Sequence, residues 1–320
     1  MTSPQAGRAK RFRVIPQEQG MTLRNLLTRR VRDLDRKQAA ILIRAGGVYV
    51  NRLRVRLPQI LVAPGERITV YLEALDAVPV DPQSLNFVHR SPEFVVVDKP
   101  AGVPVAPVRE TAVGCLSEAL IHRLESEGVT RPYVGVVHRL DQGASGLVLF
   151  TIRDIANKSL HKQFVEHRIR RRYRVRVQAE PGRTLEGEIR CDAPLIKRKS
   201  DKGGGVVVGK AGEAGAMEAH SRFVHVAALE GGQHLFDVEI ETGRTHQIRA
   251  HAAHLGFPVV GDRRYGGDPV SDAAGAAGDG EDEDEQVEAL CLHAWQLDFE
   301  HPVSEESVHL EAGLPDWARG

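Results

Sequence analysis

Along residues 21–45 the apolar positions recur at helical spacing: Leu23, Leu26, Leu27 and Val31, then Ala39, Ala40, Ile41 and Ile43. The spacing predicts two short helices. The first runs from an N-cap at Thr22 to about Arg32, the second from about Arg36 to Arg44, ending at Gly46-Gly47. The period then shortens. Val48–Asn51 and the basic run Arg52–Arg56 read as strands, and Pro64-Gly65-Glu66 turns the chain into a third, Arg67–Leu72. Residues 21–80 thus form a complete small module. The polar, basic residues 1–20 read as a mobile tail, and Val78-Pro79-Val80-Asp81-Pro82 opens a linker over 81–93.

From residue 94 the texture is different. Strand-like runs recur at Phe94–Val97, Gly146–Thr151, Tyr173–Gln178 and His234–Glu241, with helical stretches around 116–127 and 154–167. Strands outnumber helices and do not alternate strictly with them. The expectation is an α+β domain over 94–316 with a mixed, largely antiparallel central sheet, joined to a small N-terminal α/β module. Residues 268–288 are acidic and rich in small side chains, which bury little apolar area, so they read as a disordered loop.

Composition narrows the class. Hydrophobic residues at 42% can fill a core of this size, which excludes a mostly disordered chain. No run approaches the roughly 18 consecutive apolar residues of a membrane span, and no secretory signal is visible. Cys115, Cys191 and Cys291 are far apart and odd in number, so they suggest neither a disulfide framework nor a metal pattern. The expected location is the cytoplasm. Formal net charge is zero, but it averages opposed segments. Residues 1–56 hold 14 basic and 3 acidic residues, residues 158–176 hold 8 and 1, and residues 268–288 hold none and 9. Arg outnumbers Lys 34 to 9, and guanidinium groups bind phosphate bidentately and stack on bases. Two basic blocks suit a polyanionic partner.

Several attractive motifs fail on spacing. Gly204 to Lys210 fits the phosphate-loop pattern, but Ala211 follows where a hydroxyl is needed. His246, His251 and His254 lack both the metalloprotease spacing and an acidic neighbour. Gly143-Ala144-Ser145-Gly146 is not a nucleophile elbow. Three other clusters cohere better. In residues 136–147 an apolar strand leads into a polar turn holding Arg139 and Asp141, and an Asp presented there could be a nucleophile, a base or an ordinary turn residue. In residues 168–176 alternation puts Tyr173, Val175 and Val177 on one face and Arg172, Arg174 and Arg176 on the other, as either an RNA-binding face or a solvated edge strand. In residues 241–256 a helix capped by Thr245 and closed by Gly256 carries Arg249 near its start, where a carboxylate could meet its guanidinium.

Together these motifs resemble a known family. VVVDKPAGVPV (95–105), HRLDQGASGL (138–147), RRYRV (171–175), GRTHQIRAHAAHLGFPVVGDRRYG (243–266) and LCLHAWQLDFEHP (290–302) occur in the order seen in the RluA-type pseudouridine synthases. The resemblance covers about residues 21–316, and residues 21–80 are similar to the alpha-L RNA-binding module. One departure lies in the turn: where the family usually has Arg, Asp and Thr after HRLD, this chain has Gln142, Gly143 and Ala144.

The resemblance implies an RNA pseudouridine synthase, an isomerase acting on uridines of large-subunit (23S) ribosomal RNA. The alternatives are the same enzyme acting on transfer RNA, or a non-catalytic RNA-binding or ribosome-assembly protein of the same fold. It implies that Asp141 is the catalytic aspartate, that Tyr173 packs on the flipped uracil and that Arg249 pairs with Asp141. Arg139 would enter the RNA stack. Arg52, Arg54, Arg56, Arg171, Arg172 and Arg174 are further candidate RNA contacts. RNA is the expected partner, the chain a monomer, and no metal, small-molecule cofactor or membrane is expected.

Overall fold

A computed structural model of the chain describes residues 9–180, 182–198, 205–266 and 289–319. They fall into two compact units: residues up to 84 together with 106–130, and residues 85–105 together with 131 onward. The expected acidic loop at 268–288 lies outside the described residues.

The first unit holds β1 (Lys10–Arg13), α1 (Leu23–Arg30), α2 (Arg36–Arg44), β2 (Val48–Val50), β3 (Leu53–Val55), β4 (Arg67–Val70) and α3 (Leu116–Ser126). Its four strands run in the order β1-β4-β2-β3, all antiparallel. Thr22 caps α1 as expected, its Oγ1 accepting from Asn25 N–H at 3.3 Å. Asp35 and Gln38 form a capping box at the start of α2. The periodic apolar residues meet in one core with Leu23, Leu26, Leu27, Leu42, Ile43, Val48, Ile68 and Val70 fully or nearly buried.

Three expectations change here. Residues 10–18 are not a mobile tail: β1 pairs with β4, and Glu18 is buried against Arg30, whose Nε and Nη2 reach its carboxylate at 2.6 and 3.1 Å. Those two hydrogen bonds hold the Glu18 carboxyl below its ordinary range, although burial opposes them. Arg52 is not in a strand. Asn51 and Arg52 both have positive φ, 52° and 74°, the pattern of a two-residue hairpin turn, so Arg52 projects from its tip. Residues 81–93 are not a linker, because Asn86–Arg90 forms a strand of the second unit.

That unit contains β5 (Asn86–Arg90), β6 (Phe94–Lys99), β7 (Gly135–Val136), β8 (Ser145–Thr151), α4 (Asp154–Val165), β9 (Arg170–Gln178), β10 (Glu188–Cys191), β11 (Leu195–Arg198), β12 (Gly205–Val208), β13 (Ala216–Met217), β14 (Ser221–Ala228), β15 (Gln233–Ile240), α5 (Gln247–His254), β16 (Leu292–Glu300) and β17 (Ser307–Glu311). Among the described residues ten strands form one sheet, in the order β10-β14-β15-β9-β16-β8-β6-β5, with β17 on β16 and β7 on β8. Only β16 and β8 run parallel, so the mixed, largely antiparallel sheet is present. β6 and β8 are apolar without alternation, and Phe94–Val97 and Leu147–Phe150 are buried on both faces, as interior strands require. Gly146 makes the parallel contact possible: its φ is +109°, and a Cβ there would overlap the backbone of Ala294. One apolar cluster packs Ile248 and Ala252 of α5 against Tyr173, Val175, Phe223 and Phe236. A second packs Ala156 and Leu160 of α4 against Phe94, Leu149 and Phe299.

Candidate active site

Asp141 sits in the tight turn between β7 and β8, where Ala144 N–H donates to its carbonyl at 3.1 Å. Neighbouring residues brace this turn from both sides. Before it, His138 Nε2 accepts from Leu149 N–H at 3.0 Å, and its ring lies 5.2 Å from that of Phe164. An Nε2 that accepts must be unprotonated, so the ring is neutral with its proton on Nδ1. Desolvation, with the Arg171 charge adding to it, pushes the imidazole down to about 3.

After it, Gln142 carbonyl accepts from Gly102 N–H at 2.8 Å and Gln142 Nε2 donates to Gly102 carbonyl at 2.9 Å. The residue that departs from the family's usual Arg thus ties the turn to the loop after β6. Lys99, with no exposed surface, completes the brace. Its Nζ donates to the carbonyls of Pro100, Val103 and Gln142 at 2.8, 2.7 and 3.0 Å. Burial pushes this amine down to about 7, with Asp141 and Asp98 opposing. Three acceptors match the three N–H of an ammonium, so the geometry favours the charged form.

Tyr173 comes from β9, an interior strand, facing Val238 of β15 and Ala294 of β16 in register. It is 6% exposed, and burial pushes its phenol up, the Asp141 charge adding to the effect and the Arg171 charge opposing it. Arg249 comes from the first turn of α5. That helix does not start on a Thr245 cap: the N-cap is His246, in the left-handed region at φ 53° with no side-chain cap. Gln247 fixes the start instead. Its Oε1 accepts from Arg244 N–H at 3.0 Å and Thr242 hydroxyl at 2.8 Å, while Nε2 donates to His220 carbonyl at 2.9 Å and Ser221 Oγ at 3.1 Å. Gly256, at φ +79°, closes the helix as expected.

The fold brings Asp141 and Arg249 together, with Nη1 3.1 Å from Oδ2. Arg249 has a second partner that sequence reasoning missed. Asp262, fully buried, takes its Nε at 2.6 Å and its Nη2 at 2.8 Å. Tyr265 places its ring under the guanidinium at 5.2 Å and gives its hydroxyl hydrogen to Val206 carbonyl at 2.8 Å. His246 turns Nδ1 to Tyr265 Oη at 3.2 Å and Nε2 to Asp141 Oδ1 at 3.9 Å. Desolvation pushes the His246 imidazole down, with the Asp141 charge opposing. Desolvation would lower Arg249 as well, but the carboxylates of Asp262 and Asp141 outweigh it and hold the guanidinium charged. Asp262 and Tyr265 lie within the 243–266 motif, but no period or spacing links them to Arg249; only the fold does.

Other candidates are placed differently. Arg139 is exposed beside Asp141 in sequence. Alternation along β9 holds, and Arg171, Arg172 and Arg174 each have a partner within the protein. Arg174 pairs with Asp237 at 2.8 Å and lies over Trp295, Arg172 donates to Gln296 at 3.1 Å, and Arg171 is buried over Phe164. In the first unit, Arg54 donates to Tyr49 Oη at 2.6 Å and Arg56 to Arg44 carbonyl at 2.8 Å, while Arg52 is exposed. Among the described residues no group of three His, Cys, Asp or Glu could hold a metal, and no helix is long and apolar enough to cross a membrane. His251 is buried, bonded to Ser221 Oγ and Ala193 carbonyl at 2.9 Å each.

A carboxylate beside a fixed guanidinium, with a buried aromatic ring near it, can act as nucleophile or base. Comparison with known proteins agrees. Residues 93–254 match the family described as RNA pseudouridylate synthase. The chain is 32% identical to an uncharacterized RNA pseudouridine synthase of Bacillus subtilis, over 89% of this chain and 87% of that protein. It is 30% identical to the ribosomal large subunit pseudouridine synthase D of Zymomonas mobilis, over 92% and 89%. Among solved structures, human RNA pseudouridylate synthase domain containing 1 superposes with a TM-score of 0.54 at 22% identity, covering 74% of this chain and 86% of that one, which is a likeness of fold.

Proposed function

Given that this chain belongs to the RNA pseudouridylate synthase family and isomerises uridine to pseudouridine in RNA, we propose that Asp141 performs the reaction on uridines of large-subunit ribosomal RNA. The observation that carries the assignment is the Asp141–Arg249 pair, a half-buried carboxylate held by one N–H of a guanidinium. The reaction breaks the bond from ribose C1′ to uracil N1 and forms one from C1′ to C5. N1 gains a proton and C5 loses one, so composition and oxidation state are unchanged. Asp141 serves either by attacking C1′ or by taking a proton from C2′. Arg249 orients the carboxylate through its Nη1 contact at 3.1 Å.

The target base is stacked in RNA and must be extruded, at a cost of about a few kcal/mol. Arg139, exposed next to Asp141, fills the space that the base leaves, and Tyr173 packs on the extruded uracil. The ribosomal substrate is supported by the relative from Zymomonas mobilis, named for the large subunit and alike over most of both chains. The basic residues of the first unit supply affinity for phosphate. Pseudouridine mapping in ribosomal and transfer RNA, from cells with and without the protein, tests the reading. Loss of one or more large-subunit sites, restored by wild type but not by Asp141→Asn, is expected. Unchanged ribosomal sites with a lost transfer RNA site would move the substrate to transfer RNA.

A further inference from the structure

A guanidinium carries five N–H and has two edges where a carboxylate can bind through two parallel hydrogen bonds, one using Nε with an Nη and one using both Nη. In this site Asp262 holds the Nε and Nη2 edge, and Asp141 has Nη1 alone. Asp262 is fully buried and separated from Asp141 by the guanidinium between them, so it is not placed to touch RNA. Its own position is fixed: its N–H donates to Val259 carbonyl at 3.1 Å, and Oδ1 accepts from Tyr265 N–H at 3.3 Å. The Tyr265 ring under Arg249 and the Tyr265 hydroxyl on Val206 keep the guanidinium plane from turning.

From this geometry we propose that Asp262 is a positioning residue for the isomerisation, holding the Nε and Nη2 edge of Arg249 and fixing its plane so that Asp141 meets Nη1 through one oxygen and keeps Oδ1 for the reacting ribose. The inference rests on the assignment of Asp141 above. The two carboxylates compete for one guanidinium. A lone Arg–Asp pair relaxes to two hydrogen bonds, which ties up both carboxylate oxygens and lowers their basicity. Asp262 closes the Nε edge to Asp141 and fixes the guanidinium plane, and in that plane Nη1 meets Oδ2 alone. Asp262 also shares the positive charge, so the Asp141 carboxylate is oriented without being fully neutralised. Oδ1 lies 3.9 Å from His246 Nε2, beyond hydrogen-bond reach.

The test is single-turnover isomerisation of RNA from cells lacking the protein, labelled with tritium at uridine C5 and read by tritium release. Asp262→Asn is expected to slow the rate at saturating enzyme about tenfold or more, while half-saturation stays within about twofold, because a bidentate Arg249 restrains Asp141 without touching RNA. The acid limb of its pH–rate profile should move to lower pH, since Asp141 gains a hydrogen bond and loses a negative neighbour. A merely structural Asp262 would loosen Arg249 and move that limb the other way. The charged and titratable groups facing Asp141 are Arg249, His246, Lys99 and Tyr173, and Arg264 and Tyr265 lie near them. His246→Gln, run in parallel, removes the imidazole from the limb.

Asp262→Glu keeps the charge but displaces the guanidinium. It should leave the limb in place and give a rate between Asp262→Asn and wild type. A folded Asp262→Asn at the wild-type saturating rate, or with its acid limb raised, overturns the proposal. If circular dichroism shows Asp262→Asn unfolded, Asp262→Glu decides: folded and slowed supports it, folded and unslowed overturns it. Asp141→Asn is assayed alongside. Turnover by that variant would sink the assignment beneath the inference, whereas an inactive Asp141→Asn beside a wild-type Asp262→Asn would sink the inference alone.

Discussion

At the scale of single residues, the carboxylate of Asp141 and the guanidinium of Arg249 have separable contributions. Asp141→Asn keeps the size and hydrogen-bonding shape of the side chain but removes the charge. RNA affinity should stay within a few fold and isomerisation should fall below detection, both measured on the same protein preparation. Arg249→Met removes the cation beside two carboxylates. A carboxylate without its partner is protonated more readily, so the acid limb of the pH–rate profile should rise. Activity near neutrality should fall about 100-fold or more, the scale at which losing an oriented charge partner acts. Wild-type rates for Arg249→Met at neutral pH would show that the 3.1 Å contact is incidental.

At the scale of elements, the turn holding Asp141 depends on a neutral histidine. His138 accepts from β8 in its unprotonated form and sits at about 3, well below the ordinary value of 6.5. Proton linkage sets the sign. Between about pH 6.5 and 3 the unfolded chain binds a proton that the folded chain refuses, so the stability contributed above that window is lost as pH falls through it. His293, pushed by burial down to about 4, acts in the same direction. Urea unfolding at pH 6.5 and 4.5 should show wild type losing stability on acidification. His138→Gln, whose amide oxygen can take over the Leu149 contact, should lose less, by at most about 1.4 kcal/mol for each pH unit. Equal acid sensitivity in the two proteins would mean that the ring is protonated in the folded state.

At the scale of the whole molecule, the division between affinity and chemistry can be probed without cutting the chain. Removing residues 1–80 would leave 106–130 without the rest of its compact unit, so neutralising exposed cations is the cleaner experiment. Arg36, Lys37 and Arg52 are exposed in the first unit, the last at a hairpin tip. Replacing all three with Ala should weaken binding to a large-subunit ribosomal RNA fragment and flatten its salt dependence. Each phosphate left without its cation removes roughly 0.7–0.9 from the log–log slope. The rate at saturating protein should hold. An unchanged slope would place the RNA on another surface.

The helices of the first module, its Thr22 cap, the strand runs 94–97 and 146–151 and the closure of α5 at Gly256 could all be read from order along the chain. Each follows from local rules: apolar spacing sets the element, and a cap or a glycine sets its end. The ordered motifs likewise carried the family and pointed to Asp141, Tyr173 and Arg249. What could not be read depends on which distant backbone comes alongside. Residues 10–13 look like a polar tail until β4 supplies hydrogen bonds to them, and 86–90 look like a linker until β6 does. Nor does the sequence show that Asp237, Trp295 and Gln296 arrive from other strands beside Arg172 and Arg174 of β9. Asp262 lies 13 residues from Arg249, a separation that neither a helix nor a strand repeats, and the turn after Val259 brings its carboxylate back onto the guanidinium. Local periodicity records how a segment meets water and its own backbone. The pairing of charges across segments is set by chain reversal and burial, which leave no period behind.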